Sequence, residues 1–466
     1  MLAILLSLLS ISFLSPLIVK FLKGATHLFI SFLLLVIFII YISDFGFLPP
    51  DGYTESYDLI SELSIGFSFY IDGLAFLFSV LLLGIGILVM YFSGEYFKQK
   101  INLGKYYLFM MLFLTAMFGL VTSGNLITIF IFWELTSISL FFLIGIDNEK
   151  IESRSAAYKA LLINAIGGLA LLAGFILIYT LTNTLSIPEI FSKRENVIFS
   201  DSYLLILILV CIGAFTKSAQ MPFHFWLPGA MIAPTPVSAF LNSAAMVNAG
   251  IYILLRLFPL IGDTPESKTI LCSVGVTSLF LGAFISLRKK DLISILAYLT
   301  IASLGTVVYL IGVGTPYAIF AAIVSVFSHS LYISAMFLNT GIIEQISGTR
   351  NTEILGGYYY AVPSFAFISF AAALSCAGFP PFIGFTSKEL LLKAAEPDSF
   401  FTILLYIFAI VGSSLLVGAS LIAGFKPFLG EYHKEKFTIK NNLLIPSGIL
   451  AYAGIIFIFF YPFLNH

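Results

Sequence analysis

Residues 292–343 contain no Asp, Glu, Lys or Arg, and that stretch decides the environment of the chain. A bilayer crossing takes about 20 apolar residues, so two crossings fit inside it. Of the 466 residues, 59% are hydrophobic and 10% are charged. A water-soluble domain has too little interior for that many apolar side chains, so the sequence reads as a polytopic membrane protein. A formal net charge of −1 with no basic tract leaves no cationic surface for phosphate neutralisation, so no nucleic-acid partner is expected.

Cys211, Cys272 and Cys376 lie singly in apolar segments, without a second thiol or a histidine at ligand spacing. Neither a disulfide framework nor a metal cluster is expected. The opening MLAILLSLLSISFLSPLIVKF lacks a basic leader region and a small-residue cleavage site, so it is expected to remain as the first helix.

Apolar runs of spanning length predict an all-α fold of about 14 transmembrane helices. They fall near 1–22, 25–44, 73–94, 106–122, 124–146, 159–181, 203–228, 238–261, 269–287, 291–313, 316–343, 360–395, 402–424 and 443–463. Little chain is left over, so residues 1–466 are expected to form one membrane domain. Alternate connections must share a side, and cytoplasmic ones collect Lys and Arg. One set of loops holds 16 of the 23 basic residues and the other holds five. That split predicts an even helix number with both termini outside. The expected location is a cell membrane of the prokaryotic type. The acidic 45–72 loop, with Asp51, Glu55, Asp58, Glu62 and Asp72, then also faces out.

Prolines interrupt two spans. Pro222, Pro228, Pro234 and Pro236 follow Lys217 in the seventh span and its exit, and Pro380 with Pro381 precedes Lys388 in the twelfth. Each break brings freed backbone and a cation to membrane depth, the arrangement in which transporters build ion sites. The breaks are five spans apart, which predicts two inverted five-helix repeats. The expected layout is three N-terminal helices (1–104), a first repeat (105–262), a second repeat (269–425) and a last helix (426–466).

A charge at the bilayer centre costs a few kcal/mol, so each ionisable residue within a span needs a partner, water or a purpose. Glu134 lies near the middle of its span and reads either as an ion-path carboxylate or as a group bonded to a neighbouring helix. Lys217 is its natural counter-charge, and lysine, unlike arginine, readily changes protonation when buried. Lys388 and Glu389 form a second pair of charges, about 100° apart on a helix and so facing different partners. His329 lies mid-span among Ser325, Ser328, Ser330 and Tyr332, a polar stripe that suits a proton-passing imidazole or a histidine satisfied by a hydroxyl. His224 sits near the break in the seventh span and is a further candidate for the path or its water lining. Arg256 is expected to reach the interface or to pair with an acid. No phosphate loop, dinucleotide fingerprint or haem-ligand pair occurs, so no cofactor is expected.

FWELTSISLFFLIGI (132–146), KALLINAIGGLALLAGF (159–175), KSAQMPFHFWLPGAMIAPTPVSAFL (217–241) and RKKDLISILAYLTIASLG (288–305) resemble the antiporter-like, proton-translocating subunits of respiratory complex I. The likeness is strongest to the large A-type subunit of multisubunit sodium/proton antiporters and its counterparts in membrane-bound hydrogenase-type complexes. YIDGLAFLFSVLLLGIGIL (70–88) and FPPFIGFTSKE (379–389) extend it over about residues 70–425. The resemblance implies a polar axis carrying protons through Glu134, Lys217, His329, Lys388 and Glu389. It also implies a membrane arm shared with homologous subunits and coupled to a redox module or partner subunits, with protons and/or sodium as cargo. Such subunits carry no redox or hydrolytic site of their own.

The sequence departs from that family at its centre. Asn242 stands where the family has a histidine, and Asn248 and Ile333 stand where it has lysines. Asn242, Asn248, Ser325 and Ser328 are then expected to line any water path. Two other readings remain: an antiporter-like subunit that has lost through-transport, and a free-standing transporter of an organic substrate, against which stands the lack of a clustered substrate pocket.

Overall fold

Capping side chains set many of the helix starts. Asp72, Asn102, Asn125, Asp291 and Thr315 each accept from a backbone N–H three residues on, and Ser399 forms a reciprocal capping box with Thr402. The computed structural model describes residues 1–49, 51–60, 65–97, 102–394, 399–431 and 439–460. Glu62, Lys98, Lys100, Lys434 and Lys436, which entered the loop-charge reading, lie outside them.

Along the chain come α1 (Leu2–Leu22), α2 (Thr26–Phe45), β1 (Tyr53–Ile60), β2 (Ile65–Ile71), α3 (Gly73–Tyr96), α4 (Leu103–Val121), α5 (Leu126–Ile144) and α6 (Ile151–Thr182). Next are α7 (Ile187–Ser192), α8 (Arg194–Ile198), α9 (Tyr203–Lys217), α10 (Trp226–Ala230), α11 (Thr235–Ser243), α12 (Met246–Ile261) and α13 (Pro265–Arg288). The remainder are α14 (Leu292–Val313), α15 (Pro316–Ser347), α16 (Tyr358–Ala361), α17 (Pro363–Ala377), α18 (Ile383–Ala394), α19 (Phe400–Phe425) and α20 (Asn441–Phe460). Ten stretches among the described residues are long and apolar enough to cross a membrane, with α9, α17 and α20 as shorter apolar helices. The protein is a mostly helical, multi-pass membrane protein.

Contacts divide the chain into two units, Met1–Ala219 with Ala244–Ser267, and Gln220–Ser243 with Lys268–His466. The stretch carrying α10 and α11 therefore packs with the second unit although the first unit's chain resumes after it. The seventh predicted span ends as regular helix at Lys217, and the chain passes Ala219 (φ 50°) and Pro222 before α10. The twelfth is divided into α17 and α18 at Gly378, which has φ 77°, and the two prolines that follow. The eighth predicted span, expected as one helix over 238–261, is also divided, into α11 and α12 at Ala244–Ala245. No proline marks that break.

The expected all-helical chain also contains a hairpin. Within the 45–72 loop, β1 and β2 pair antiparallel, Tyr53 opposite Ile71 and Asp58 opposite Gly66. The hairpin docks on the α4–α5 connection, where Tyr70 N–H donates to the Thr122 carbonyl and Gly124 N–H to the Ser68 carbonyl. Asp72, at its end, meets Arg256 of α12 in a two-pronged pair, Nη1 to Oδ2 at 2.6 Å and Nη2 to Oδ1 at 2.8 Å. Arg256 Nε donates to Tyr252 Oη at 2.9 Å, and Tyr252 donates to the Val121 carbonyl. The guanidinium is 2% exposed, so losing its acid would strand a buried charge. Asp72→Asn is expected to destabilise the first unit by about 3 kcal/mol, read as a lowered unfolding midpoint of the purified protein.

Candidate functional site

In the first unit the apolar helices α5, α6 and α9 converge on Lys217. The side chain is completely buried, and an ammonium in that setting must find its acceptors within the protein. It donates to the Trp133 carbonyl at 2.8 Å and to Ser137 Oγ at 2.7 Å, and lies 4.5 Å from the centre of the Trp133 ring. Both acceptors are on α5, one residue before and three after Glu134. The Glu134 carboxylate acts on Lys217 through space but makes no ion pair with it, and its buried Oε1 has no hydrogen-bond partner among the described residues. Glu134 and Lys217, expected from sequence as a pair, thus make no direct contact among the described residues.

Space for that carboxylate comes from α6. A Cβ at Gly168 would lie 2.0 Å from Glu134 Oε1, and one at Gly167 would lie 1.8 Å from Thr216 Oγ1, beside Lys217. Carboxylate oxygens end a flexible side chain, so a methyl group at Gly168 would move the carboxylate rather than the backbone. Gly168→Ala is expected to fold normally while shifting the carboxylate by about 1 Å, read in a structure of the variant. An unmoved Glu134 carboxylate in a folded Gly168→Ala protein would count against this placement.

The second unit holds a separate polar centre. Lys388, in α18, donates to the Ala377 carbonyl at 2.8 Å, one of the carbonyls left open where α17 ends. It lines a cavity of about 30 Å³ together with Ser303, Ser325, Ser328, Tyr332 and Ser387, among others. That volume has room for about two waters. Ser325 Oγ and Ser387 Oγ are 2.8 Å apart, whereas Ser328 Oγ is buried with no partner among the described residues. Ser325, Ser328, Tyr332 and Asn339 follow one another at helical spacing of three, four and seven residues, so they share a face of α15. Asn339 is buried, and neither its Nδ2 nor its Oδ1 has a partner among the described residues.

His329 joins this centre through Tyr332. Its Nε2 lies 3.1 Å from the Asn242 carbonyl, which can only accept, and its Nδ1 lies 3.4 Å from Tyr332 Oη. Tyr332 Oη donates to Ser303 Oγ at 2.9 Å. Both ring nitrogens act as donors in this pattern only when the imidazole is charged. A neutral ring, protonated at Nε2, requires the Tyr332 proton to turn from Ser303 towards Nδ1. Protonation of His329 and the direction of the Tyr332 hydroxyl are therefore linked.

Other residues singled out from sequence fall elsewhere. Glu389 is part-exposed and pairs with Lys393 one helical turn on, and it is not among the residues that line the Lys388 cavity. His224 is half-buried, donates to the Pro222 carbonyl and lies against Tyr298. Asn242 belongs to the second unit, where its Nδ2 donates to the Ser238 carbonyl and its buried Oδ1 has no partner among the described residues. Asn248 is buried in the first unit, and Ile333 is fully buried in the second. Ser303, Ser387 and Asn339 were not singled out from sequence. Among the described residues no group of His, Cys, Asp and Glu is placed to hold a metal ion.

Residues 123–415 match the family model described as NADH:quinone oxidoreductase/Mrp antiporter, transmembrane. Residues 58–107 match that described as NADH-ubiquinone oxidoreductase (complex I), chain 5 N-terminus. The chain is 38% identical over 464 residues to the A-type Na⁺/H⁺ antiporter subunit of Alkalihalophilus pseudofirmus, covering 93% of this chain and 58% of that protein. It is 37% identical over 483 residues to the A-type Na⁺/H⁺ antiporter subunit of Bacillus subtilis, covering 97% of this chain and 60% of that one. It thus spans about three fifths of these curated relatives. Among solved structures, a chain of the Mrp complex from Dietzia superimposes with a TM-score of 0.90 at 32% identity, covering 97% of this chain and 49% of that chain. An archaeal membrane-bound sulfane sulfur reductase shares the fold, with a TM-score of 0.86 at 22% identity, covering 97% and 75%.

Proposed function

The chain belongs to the NADH:quinone oxidoreductase/Mrp antiporter transmembrane family, and from that premise we propose that it moves protons, coupled to sodium, within a multisubunit membrane complex. The observation that carries this reading is Lys217: a fully buried ammonium resting on neutral acceptors, with an unpaired carboxylate oxygen close by. An ammonium that no acid holds directly can give up its proton when the neighbouring negative charge moves or is neutralised. Glu134 is part-exposed, on a helix whose Ile131, Ile138 and Phe142 are exposed. A homologous subunit docked there would alter the carboxylate's surroundings and so the charge of Lys217. The fourteen-span, inverted-repeat layout belongs to the same proposal, with the lysine- and arginine-rich connections on the cytoplasmic side.

Lys388 is the second loading station. Its cavity, the linked Tyr332 hydroxyl and His329 make a polar route along α15, with waters at the unpartnered Ser328 and Asn339. In the reconstituted complex, Lys388→Gln is expected to lower proton movement driven by a sodium gradient about tenfold with subunit composition unchanged. Unaltered transport would remove Lys388 from the route. The fully buried Ile333 favours a second reading, in which the route through this subunit is partial and Lys388 acts on its surroundings through its charge alone. A Lys388→Arg complex separates the two, because arginine keeps the charge and does not release its proton.

A further inference from the structure

The ends of α4, α5 and α6 enclose a cleft of about 490 Å³ that the ion route does not use. Lys105, in the first turn of α4, and Arg154, in the first turn of α6, stand at one end, and no acidic side chain among the described residues lines it. The rest of the lining is mostly apolar and includes four aromatic side chains. Phe109 and Phe142 stack with ring centres 4.5 Å apart and planes 9° apart, and Phe141 packs against Tyr158. Phe142 and Tyr158 are 42% and 57% exposed, and they open the cleft towards the lateral surface.

The two cations lie at helix ends, hence at the level of lipid headgroups, and the aromatic walls run from there towards the hydrocarbon. Arg154 Nη1 donates to the Asn148 and Glu149 carbonyls, which fixes the guanidinium in place, while its Nε and Nη2 have no partner among the described residues. A planar, pre-set guanidinium and a lysine offer matched donors for a phosphate oxygen. The nearest acids do not cancel them, since Asp147 is engaged by Lys150 at 2.6 Å and Glu149 and Glu152 are outside the lining. A soluble anion would use only the cationic end; a phospholipid with a net negative headgroup uses both the cations and the apolar walls.

We infer that this cleft is a binding site for an anionic phospholipid, with its phosphate on Lys105 and Arg154 and an acyl chain along Phe109, Phe142 and Tyr158. The site is distinct from the Lys217 and Lys388 centres and does not depend on the transport reading. The test uses the intact complex in phosphatidylcholine nanodiscs containing a photoactivatable phosphatidylglycerol, with cross-linked peptides identified by mass spectrometry. Labelling is expected on the segments carrying Phe109 and Phe142, and Lys105→Gln, which changes an exposed side chain, is expected to reduce it about fivefold. An Arg154→Lys variant keeps the charge and loses the fork, and is expected to lower labelling less than Lys105→Gln with Arg154→Gln combined. Equal labelling by a neutral phosphatidylcholine probe would overturn the proposal, as would labelling indifferent to Lys105→Gln. Displacement by inorganic phosphate would assign a free-anion site instead, and cross-linking of these segments to a partner polypeptide would assign an interface.

Discussion

Glu134→Gln is expected to abolish coupled ion movement while the protein still assembles. The amide keeps the size and shape of the carboxylate and fills the same space beside Gly168, so packing of α5 on α6 is retained. What disappears is one negative charge acting on a buried ammonium. A charge pair several ångströms apart at an interior-like effective dielectric is worth ~2 kcal/mol, or about thirtyfold in the balance between charged and neutral Lys217. A station biased by that factor is no longer matched to its neighbours in the route. Sodium-driven proton movement measured in proteoliposomes, with subunit composition checked on the same sample, should drop to background. Native transport by an intact Glu134→Gln complex would remove the carboxylate from the mechanism.

The residues most legible in the sequence were those whose cost is highest. Glu134, Lys217 and Lys388 stand out because a charge inside an apolar span demands a reason, and the prolines beside the two lysines mark where regular helix stops. The partners of those charges were far less legible. Trp133 contributes a backbone carbonyl, which no side-chain pattern encodes, and Ser137, Ser303 and Ser387 look like any of the many serines that satisfy themselves on a carbonyl within their own helix. Glu389, adjacent to Lys388 in sequence, turns to Lys393 because neighbouring positions on a helix face different ways. The break between α11 and α12 left no trace at the level of composition, since LNSAAM contains neither proline nor glycine. The hairpin was hidden for a different reason: in a chain dominated by 20-residue apolar runs, two short alternating strands in a polar loop carry little weight.

Lys217 carries the most weight in the proposed route and also admits a rival role. Its burial, its two neutral acceptors on α5 and the nearby carboxylate serve equally well to hold a permanent positive charge that locks α9 against α5. A structural lysine and a proton-carrying lysine therefore look alike in a single structure. They differ in what arginine can do. Arginine retains the charge, the donors and much of the contact with the Trp133 ring, but it does not release its proton in the accessible pH range. The measurement is sodium-driven proton transport by reconstituted complexes carrying Lys217→Arg, alongside Lys217→Met and the native protein, with assembly verified for each. If Lys217 loads and releases a proton, the arginine protein assembles and transports no more than the methionine protein; if the arginine protein transports like the native one, the charge alone suffices and Lys217 carries no proton.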